Sequence, residues 1–243
     1  MVKHRTFLFW LLYIVCVISG AAILFQVGLP QIALHHDHSY LTCLLFGLFL
    51  AAEASSARQA WVISKENVIV DAVEDWLKVN PLSFVGVDDK SVILNSPVNS
   101  YQVPPSVIGT HLRSLFIKSE GGQQDIKQDV LLNITAERLY DHMPAEFIAH
   151  RIVWIGILAT IIGVIMAFWP MIDGVSIDLM KSNLSTFFGG IAVAFIPTAV
   201  SFVFKILLDC NVRIISVGIR NLLDRVAHVS EVAILPFLSR KQG

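Results

Sequence analysis

Two apolar stretches near the C-terminal end decide the fold: WIGILATIIGVIMAF at 154–168 and FFGGIAVAFIPTAVSF at 187–202. Each lies in a run without ionised side chains and holds one threonine, Thr160 or Thr198. A spanning helix needs about 20 mostly apolar residues, and both runs reach that length. The sequence therefore predicts two transmembrane helices with hydroxyls and glycines inside them, which is typical of a face that meets another helix or an aqueous path.

The composition of the whole chain also indicates a membrane protein. Of its 243 residues, 55% are hydrophobic and 15% are charged, and the mean hydropathy is +0.66, above the range of ordinary soluble domains. The apolar runs predict four spans, at 6–29, 40–63, 149–171 and 183–207. For the first span the alternative is a cleaved signal peptide, but its apolar run continues to about Leu34, which favours an uncleaved anchor.

The distribution of basic residues predicts the topology. Lys3 and Arg5 precede the first span, the 30–39 connection has no Lys or Arg, and the 172–182 connection has only Lys181. Most of the other basic residues lie in the long segment after the second span and in the C-terminal tail. By the positive-inside rule, both termini and the long segment are expected to be cytoplasmic.

We therefore predict an all-α integral membrane protein. Its expected parts are a first transmembrane hairpin at 1–63, a mostly helical cytoplasmic insert at 64–148, a second hairpin at 149–208 and a cytoplasmic helix at 209–243. The insert is expected to be irregular from about 80 to 105. It should then form two amphipathic helices, whose buried stripes are His111, Leu112, Leu115 and Phe116 in the first and Val130, Leu131, Ile134 and Leu139 in the second.

Small residues form a stripe on each of the last two spans. The stripe of the third span consists of Gly156, Ala159, Thr160, Gly163 and Ala167, and that of the fourth of Gly190, Ala194, Pro197, Thr198 and Ser201. One interpretation is simple helix packing, with each hydroxyl bonded to its own helix. The other is a lined path, to which Pro197 would contribute by depriving the Val193 carbonyl of its amide donor.

Glu53 is the only acidic residue inside a predicted span. A carboxyl group in a bilayer is a functional candidate, and proton carriage is one interpretation. The interpretation that we favour at this point is a structural ion pair with Arg58 of the same helix or with Lys205 of the fourth span.

The sequence contains no pattern for catalysis, a cofactor or nucleic acid. His35, His36 and His38 lie next to Asp37, but adjacent histidines point in different directions. We therefore expect a solvated loop or a transient, adventitious site rather than structural zinc. The three cysteines, Cys16, Cys43 and Cys210, are scattered and predicted to be reduced packing residues. The net charge of −1 does not indicate nucleic-acid binding, and we expect no enzyme activity and no cofactor.

The segments GILATIIGVIMAF at 156–168 and GGIAVAFIPTAVSF at 189–202 resemble the last two spans of the MotA/TolQ/ExbB proton-channel superfamily. In that family the pattern G-[LI]-L-[GA]-T-[VI]-x-G on one helix faces a small-residue stripe with a threonine on the next. The resemblance covers about 150–208. Four predicted spans, and Val193 where TolQ and ExbB usually carry a glutamate, resemble the MotA branch. Unlike the family, the chain has its proline in mid-helix, at Pro197.

The resemblance implies a subunit of a proton-motive-force-driven channel or motor in the bacterial inner membrane. Five copies would surround a dimer of a MotB/TolR/ExbD-like single-span partner that carries an intramembrane aspartate. The ion path would be lined by Thr160, Thr198, Ser201 and Pro197. Two alternatives remain: a four-span scaffold or sensor whose insert recruits a cytoplasmic partner, and a solute transporter, which the absence of doubled repeats disfavours.

Overall fold

The structure is a computed structural model, and it describes residues 5–28, 41–87, 91–120, 128–141, 143–172 and 177–242. Helices dominate it. In chain order the elements are α1 (Arg5–Gln26), α2 (Leu41–Val79), β1 (Phe84–Val87), β2 (Val92–Asn95), β3 (Ser100–Val103), α3 (Val107–Glu120), α4 (Gln128–Asp141), α5 (Pro144–Ile172), α6 (Ile177–Val229), a π-helical turn (Ser230–Ile234) and α7 (Leu235–Gln242).

Three helical segments are long and apolar enough to cross a membrane: Arg5–Gln26, Leu41–Val79 and Pro144–Phe168. They contain the first three predicted spans and support a membrane-associated protein that spans the bilayer more than once. The fourth predicted span, 183–207, lies within α6 and stays a prediction, as does the topology. No side chain of α1 is buried within the chain, so its apolar surface is available to lipid or to another chain.

The chain forms two compact units, which we call the membrane unit (Trp10–Ala57 and Met143–Arg213) and the sheet unit (Met1–Phe9, Arg58–His142 and Ile214–Gly243).

The core of the membrane unit is built from one face of α2 and one face of α5. The buried residues repeat at offsets of four and three on each helix, as one face of an α-helix requires. They are Leu45, Phe49 and Ala52 on α2 and Ala145, Ala149 and Ile152 on α5, joined by Leu208 of α6. Phe49 stacks on Phe204, with ring centroids 4.4 Å apart.

The sheet unit contains a three-stranded antiparallel sheet where the sequence was predicted to be irregular. The strand order is β1-β2-β3, and Val92 and Leu94 are buried and alternate with half-buried neighbours, so both point to the core. Opposite them lie Val103 and Val85, which are also buried. The prediction was wrong here because each strand has only four residues, too few to show the period of two clearly among the surrounding prolines and asparagines.

The first amphipathic helix of the insert is confirmed as α3, since all four residues of its predicted stripe are buried. Two side chains satisfy the start of this helix. Ser106 Oγ accepts a hydrogen bond from the Gly109 amide at 3.2 Å, and Glu66 Oε2 on α2 accepts one from the Val107 amide at 2.8 Å.

The second predicted helix is confirmed as α4, but its stripe is rotated. Leu131 and Leu139 pack on the core of the sheet unit together with Leu132, whereas Val130 and Ile134 are exposed. A short helix with a mixed pattern allows both faces, and contact with the core selects one of them.

The helix predicted to continue beyond residue 207 is also present. The end of α6 places Leu222, Val226 and Val229 in the same core as Val70 and Val73 of α2. Their spacing of four and three residues puts them on one face of the helix. The C-terminal part of the chain therefore packs with the insert within the sheet unit.

Candidate functional site

The two predicted small-residue stripes lie against each other, between α5 and α6. A Cβ atom built on Gly163 would be 2.5 Å from the Ala194 Cβ, and one built on Gly190 would be 2.9 Å from the Ala167 Cβ. Real Cβ atoms do not approach so closely, so only glycine fits at either position. The two helices thus touch backbone to backbone along this seam, as small residues allow in membrane helices.

Gly156 makes the third close approach. A Cβ at this position would be 2.6 Å from the Ser201 Cβ and 3.2 Å from the Pro197 carbonyl oxygen. Ser201 is fully buried and donates its hydroxyl hydrogen to the Thr198 carbonyl at 2.8 Å. Ala159, another residue of the predicted stripe, is buried as well.

Thr160 and Thr198 meet in the middle of the seam, where their hydroxyls are in contact. The Thr198 hydroxyl donates to the Gly156 carbonyl at 2.6 Å, and the Thr160 hydroxyl lies 3.0 Å from the Ala194 carbonyl. Gly156 precedes Thr160 by four residues, and Ala194 precedes Thr198 by four. Each threonine hydroxyl therefore contacts a backbone carbonyl of the opposite helix, and that carbonyl lies one turn before the other threonine.

With a longer contact from the Thr160 hydroxyl to the Gly156 carbonyl at 3.4 Å, the two hydroxyls make four polar contacts. The hydroxyls have only two hydrogens, so two of these contacts lack their own hydrogen at any moment. Both threonines also remain partly exposed. A hydroxyl that can exchange its hydrogen-bond partner and is reachable from one side can bind an incoming polar group. The arrangement can also serve packing alone, because every hydroxyl already has an acceptor within the helix pair.

Glu53 has two hydrogen-bond donors, and neither is charged. Its side chain is buried; the Tyr13 hydroxyl on α1 lies 3.0 Å from Oε1, and Asn211 Nδ2 on α6 donates to Oε2 at 2.7 Å. The Tyr13 hydroxyl also lies 2.8 Å from the Leu207 carbonyl oxygen.

The predicted ion pair of Glu53 with Lys205 is wrong. Lys205 forms its ion pair with Asp209, one turn away on α6. Arg58, the other predicted partner, is exposed. A lysine near the end of an apolar stretch finds an acidic partner on its own helix at little cost, whereas a buried carboxyl can be satisfied by neutral donors.

Tyr13 and Asn211 were not among the predicted site residues. They are 40 and 158 positions away from Glu53 in the chain, so no local pattern links them to it. The available signal was general: a carboxyl in an apolar span needs donors, and the few polar side chains of the other apolar helices are the candidates.

In the sheet unit, charged side chains form ion pairs with one another. Arg225 Nη2 contacts Asp71 Oδ1 at 2.5 Å and Glu74 Oε2 at 2.6 Å, with all three side chains between 26% and 30% exposed. His111 is the exception: its ring is buried and neither ring nitrogen has a hydrogen-bond partner among the described residues. Burial lowers the pKa of His111 to about 4.

A metal site finds no support in the part of the chain that the structure describes, where no three His, Cys, Asp or Glu residues come together. The 35–38 histidine cluster lies outside the described residues. Cys16, Cys43 and Cys210 are free thiols, and all three are exposed rather than packed within the chain as predicted.

In comparisons with known proteins, no family model, no curated protein and no solved structure matches this chain. The superfamily resemblance of the last two spans therefore remains a proposal.

Proposed function

We propose that the chain is a ring-forming subunit of a proton-motive-force-driven ion channel or motor in the bacterial inner membrane. In this proposal several copies, five by the superfamily resemblance, surround a single-span partner that carries an intramembrane aspartate. The wall around that partner is formed by α5 and α6. The observation that carries the proposal is the threonine pair, Thr160 with Thr198, set between two closely packed helices and still partly exposed.

The chemistry of such a site follows from the cost of charge in an apolar wall. Around the pair the exposed side chains of the two helices are large and apolar, among them Ile161 and Phe195. An ionised carboxylate would be costly beside this surface, while a protonated carboxylic acid would not. Uptake of a proton would therefore let the partner's aspartate move past the wall, and the Thr160 and Thr198 hydroxyls would bind it in transit.

The alternative function is a membrane scaffold or sensor that conducts no ions and recruits a partner through its cytoplasmic insert. One observation favours it: each threonine hydroxyl has a carbonyl acceptor within the α5–α6 pair, so the hydroxyls can be explained by packing alone. The two functions differ in stoichiometry and in whether the hydroxyls matter for flux.

Native mass spectrometry of the complex, purified with its genetic neighbours in mild detergent, tests the proposal first. A closed ring of this chain around a single-span, aspartate-bearing partner is the expected result. A monomer or dimer that is stable without any such partner contradicts the proposal and leaves the scaffold.

Proton flux into vesicles that contain the complex gives the second test. Thr160→Val removes the hydroxyl at nearly constant volume and should lower the flux about tenfold, because a lost hydrogen bond in the transit state costs roughly 1–2 kcal/mol. Thr160→Ser should retain most of the flux.

The matched control for these variants is Thr135→Val in the sheet unit. The Thr135 hydroxyl donates to the Leu131 carbonyl of its own helix at 2.8 Å, so its loss should leave the flux unchanged. If Thr160→Val and Thr198→Val conduct as well as the unchanged protein, the threonines only pack and the channel proposal loses its site.

A further inference from the structure

We propose that Glu53 is a second, separate proton-binding site, a carboxyl group that holds a proton inside the membrane unit and exchanges it reversibly through Tyr13. This site needs neither a ring nor a partner protein, so it does not depend on the function proposed above. It rests on three contacts of the cluster Tyr13, Glu53 and Asn211 and on the number of hydrogens that those contacts require.

Three short polar contacts hold the cluster together. The Tyr13 oxygen is 3.0 Å from Glu53 Oε1 and 2.8 Å from the Leu207 carbonyl oxygen, and Asn211 Nδ2 is 2.7 Å from Glu53 Oε2. All three distances fall in the range of full hydrogen bonds, so each contact calls for one hydrogen between its two heavy atoms.

An ionised Glu53 leaves the cluster one hydrogen short. Tyr13 has a single hydroxyl hydrogen, which cannot fully serve both the carboxylate and the Leu207 carbonyl. With a proton on Oε1 every contact is complete. Glu53 then donates to the Tyr13 oxygen, Tyr13 donates to the Leu207 carbonyl, and Asn211 donates to Oε2.

The surroundings also favour the neutral acid over the carboxylate. Glu53 is only 8% exposed and Asn211 is fully buried. None of the ion pairs in the described part of the chain includes Glu53, so no cation offsets the cost of burying a negative charge. Furthermore, Asn211 Oδ1 is buried without a partner among the described residues, which adds an acceptor rather than a donor to the cluster.

Few titratable groups face this carboxyl. On α1 it faces Tyr13, and on α6 the thiol of Cys210 acts electrostatically on Tyr13. The nearby ion pair of α6, Lys205 with Asp209, is internally neutral. The face of α5 that packs against α2 is apolar and carries Ala145, Ala149 and Ile152. Among the described residues, Tyr13 is thus the titratable group in hydrogen-bond contact with Glu53.

Release of the proton has a defined structural consequence. When the Glu53 proton leaves, the Tyr13 hydroxyl hydrogen turns from the Leu207 carbonyl to the Glu53 carboxylate. The Leu207 carbonyl still accepts a hydrogen bond from the backbone N–H of Asn211, because the two residues are four apart in α6. The charge state of Glu53 therefore sets whether the Tyr13 hydroxyl of α1 donates its hydrogen to the backbone of α6 or to the side chain of α2.

Infrared spectroscopy of the purified full-length chain, with glutamate labelled by ¹³C at the carboxyl carbon, tests the charge state without any substitution. The expected result near neutral pH is a C=O stretch of a protonated glutamic acid that shifts with the label. A spectrum with carboxylate bands only would overturn the proposal.

Labelling with dicyclohexylcarbodiimide assigns the acid to its residue, because this reagent adds to a protonated carboxyl in apolar surroundings. We expect about one adduct per chain, mapped to Glu53 by peptide mass spectrometry, and a rate that falls about tenfold per pH unit once the site ionises. Glu53→Gln, an isostere that can keep the same contacts, should abolish the adduct.

Glu146→Gln is the matched control, since Glu146 is an exposed carboxyl of the same unit and its loss should not change the labelling. An adduct that persists in Glu53→Gln would overturn the assignment, as would no adduct at any pH between about 5 and 9. Neither result would bear on the ring stoichiometry, so the two proposals fail separately.

Discussion

The membrane unit and the sheet unit stabilise their inner polar groups in different ways. In the membrane unit the seam joins two threonine hydroxyls to backbone carbonyls, and Glu53 has a phenol and an amide as partners. In the sheet unit the corresponding contact joins Arg225 to two carboxylates. Neutral hydrogen-bond partners suit surroundings in which water cannot solvate a charge. Partly exposed ion pairs suit surroundings in which water can solvate it.

The helix contacts differ in the same sense. In the membrane unit α5 and α6 approach until glycine is the only residue that fits, whereas the core of the sheet unit consists of large side chains such as Leu94, Ile108 and Leu222. In lipid the hydrophobic effect does not draw helices together, so close contact has to supply the attraction. In water the burial of large apolar side chains supplies it. The comparison predicts which substitutions each unit tolerates.

The largest effect is expected at Gly163 in the seam. Gly163→Leu places a side chain where even a Cβ would be 2.5 Å from the Ala194 Cβ, so α5 and α6 must separate. Overpacking of this kind costs about 1–3 kcal/mol or more, and thermal unfolding in detergent should show a clearly lower midpoint.

The control for this prediction is Gly47→Leu on α2, where a Cβ would have nothing within 4 Å. Equal destabilisation by both variants would show that the seam is no more tightly packed than the rest of the unit. That result would contradict the difference in helix packing between the two units.

A smaller, pH-dependent effect is expected at His111 in the sheet unit. Its pKa is lowered to about 4 in the folded chain. Between about pH 6.5 and 4 the ring is therefore protonated in the unfolded chain and neutral in the folded chain. Stability from the neutral ring is complete above about pH 6.5 and is lost as the pH falls towards 4, by at most about 1.4 kcal/mol per pH unit. Unfolding followed at pH 7, 6 and 5 should show this slope.

His111→Leu should remove the slope without lowering the stability at pH 7, because leucine fits an apolar core and leaves no buried nitrogen without a partner. His228→Gln on the exposed side of α6 should leave the slope in place. A slope that survives His111→Leu would assign the acid sensitivity to other groups.

The smallest effect is expected at the ion pairs of the sheet unit. Arg225→Met leaves Asp71 and Glu74 without their cation and should cost about 1–2 kcal/mol, less in high salt because the side chains are partly exposed. Lys78→Met removes the far more exposed pair with Asp75 and should change stability by less than about 0.5 kcal/mol. Both costs are measured by thermal unfolding at two salt concentrations, and equal costs would mean that burial of the Arg225 pair contributes nothing.

Local patterns predicted a good part of this molecule. The first three of the four predicted spans lie in long apolar helices, and the stripe of α3 is buried as its period of 3.6 requires. The glycines Gly156, Gly163 and Gly190 lie where two helices touch. The small sheet was missed because its strands are too short for a periodic signal. The partners of Glu53 were mistaken because charge complementarity suggested Lys205, which has a nearer acidic partner.

The sequence by itself determined that the chain enters a membrane and which helix faces carry small residues. The length of an apolar run and the spacing of glycines are properties of a single segment. Only the tertiary structure decided that Thr160 contacts Thr198 and that Tyr13 and Asn211 meet at Glu53. Such choices depend on the rotation and axial register of one helix against another. Those two quantities are set by the packing of all the helices at once, and no single stretch of sequence contains them.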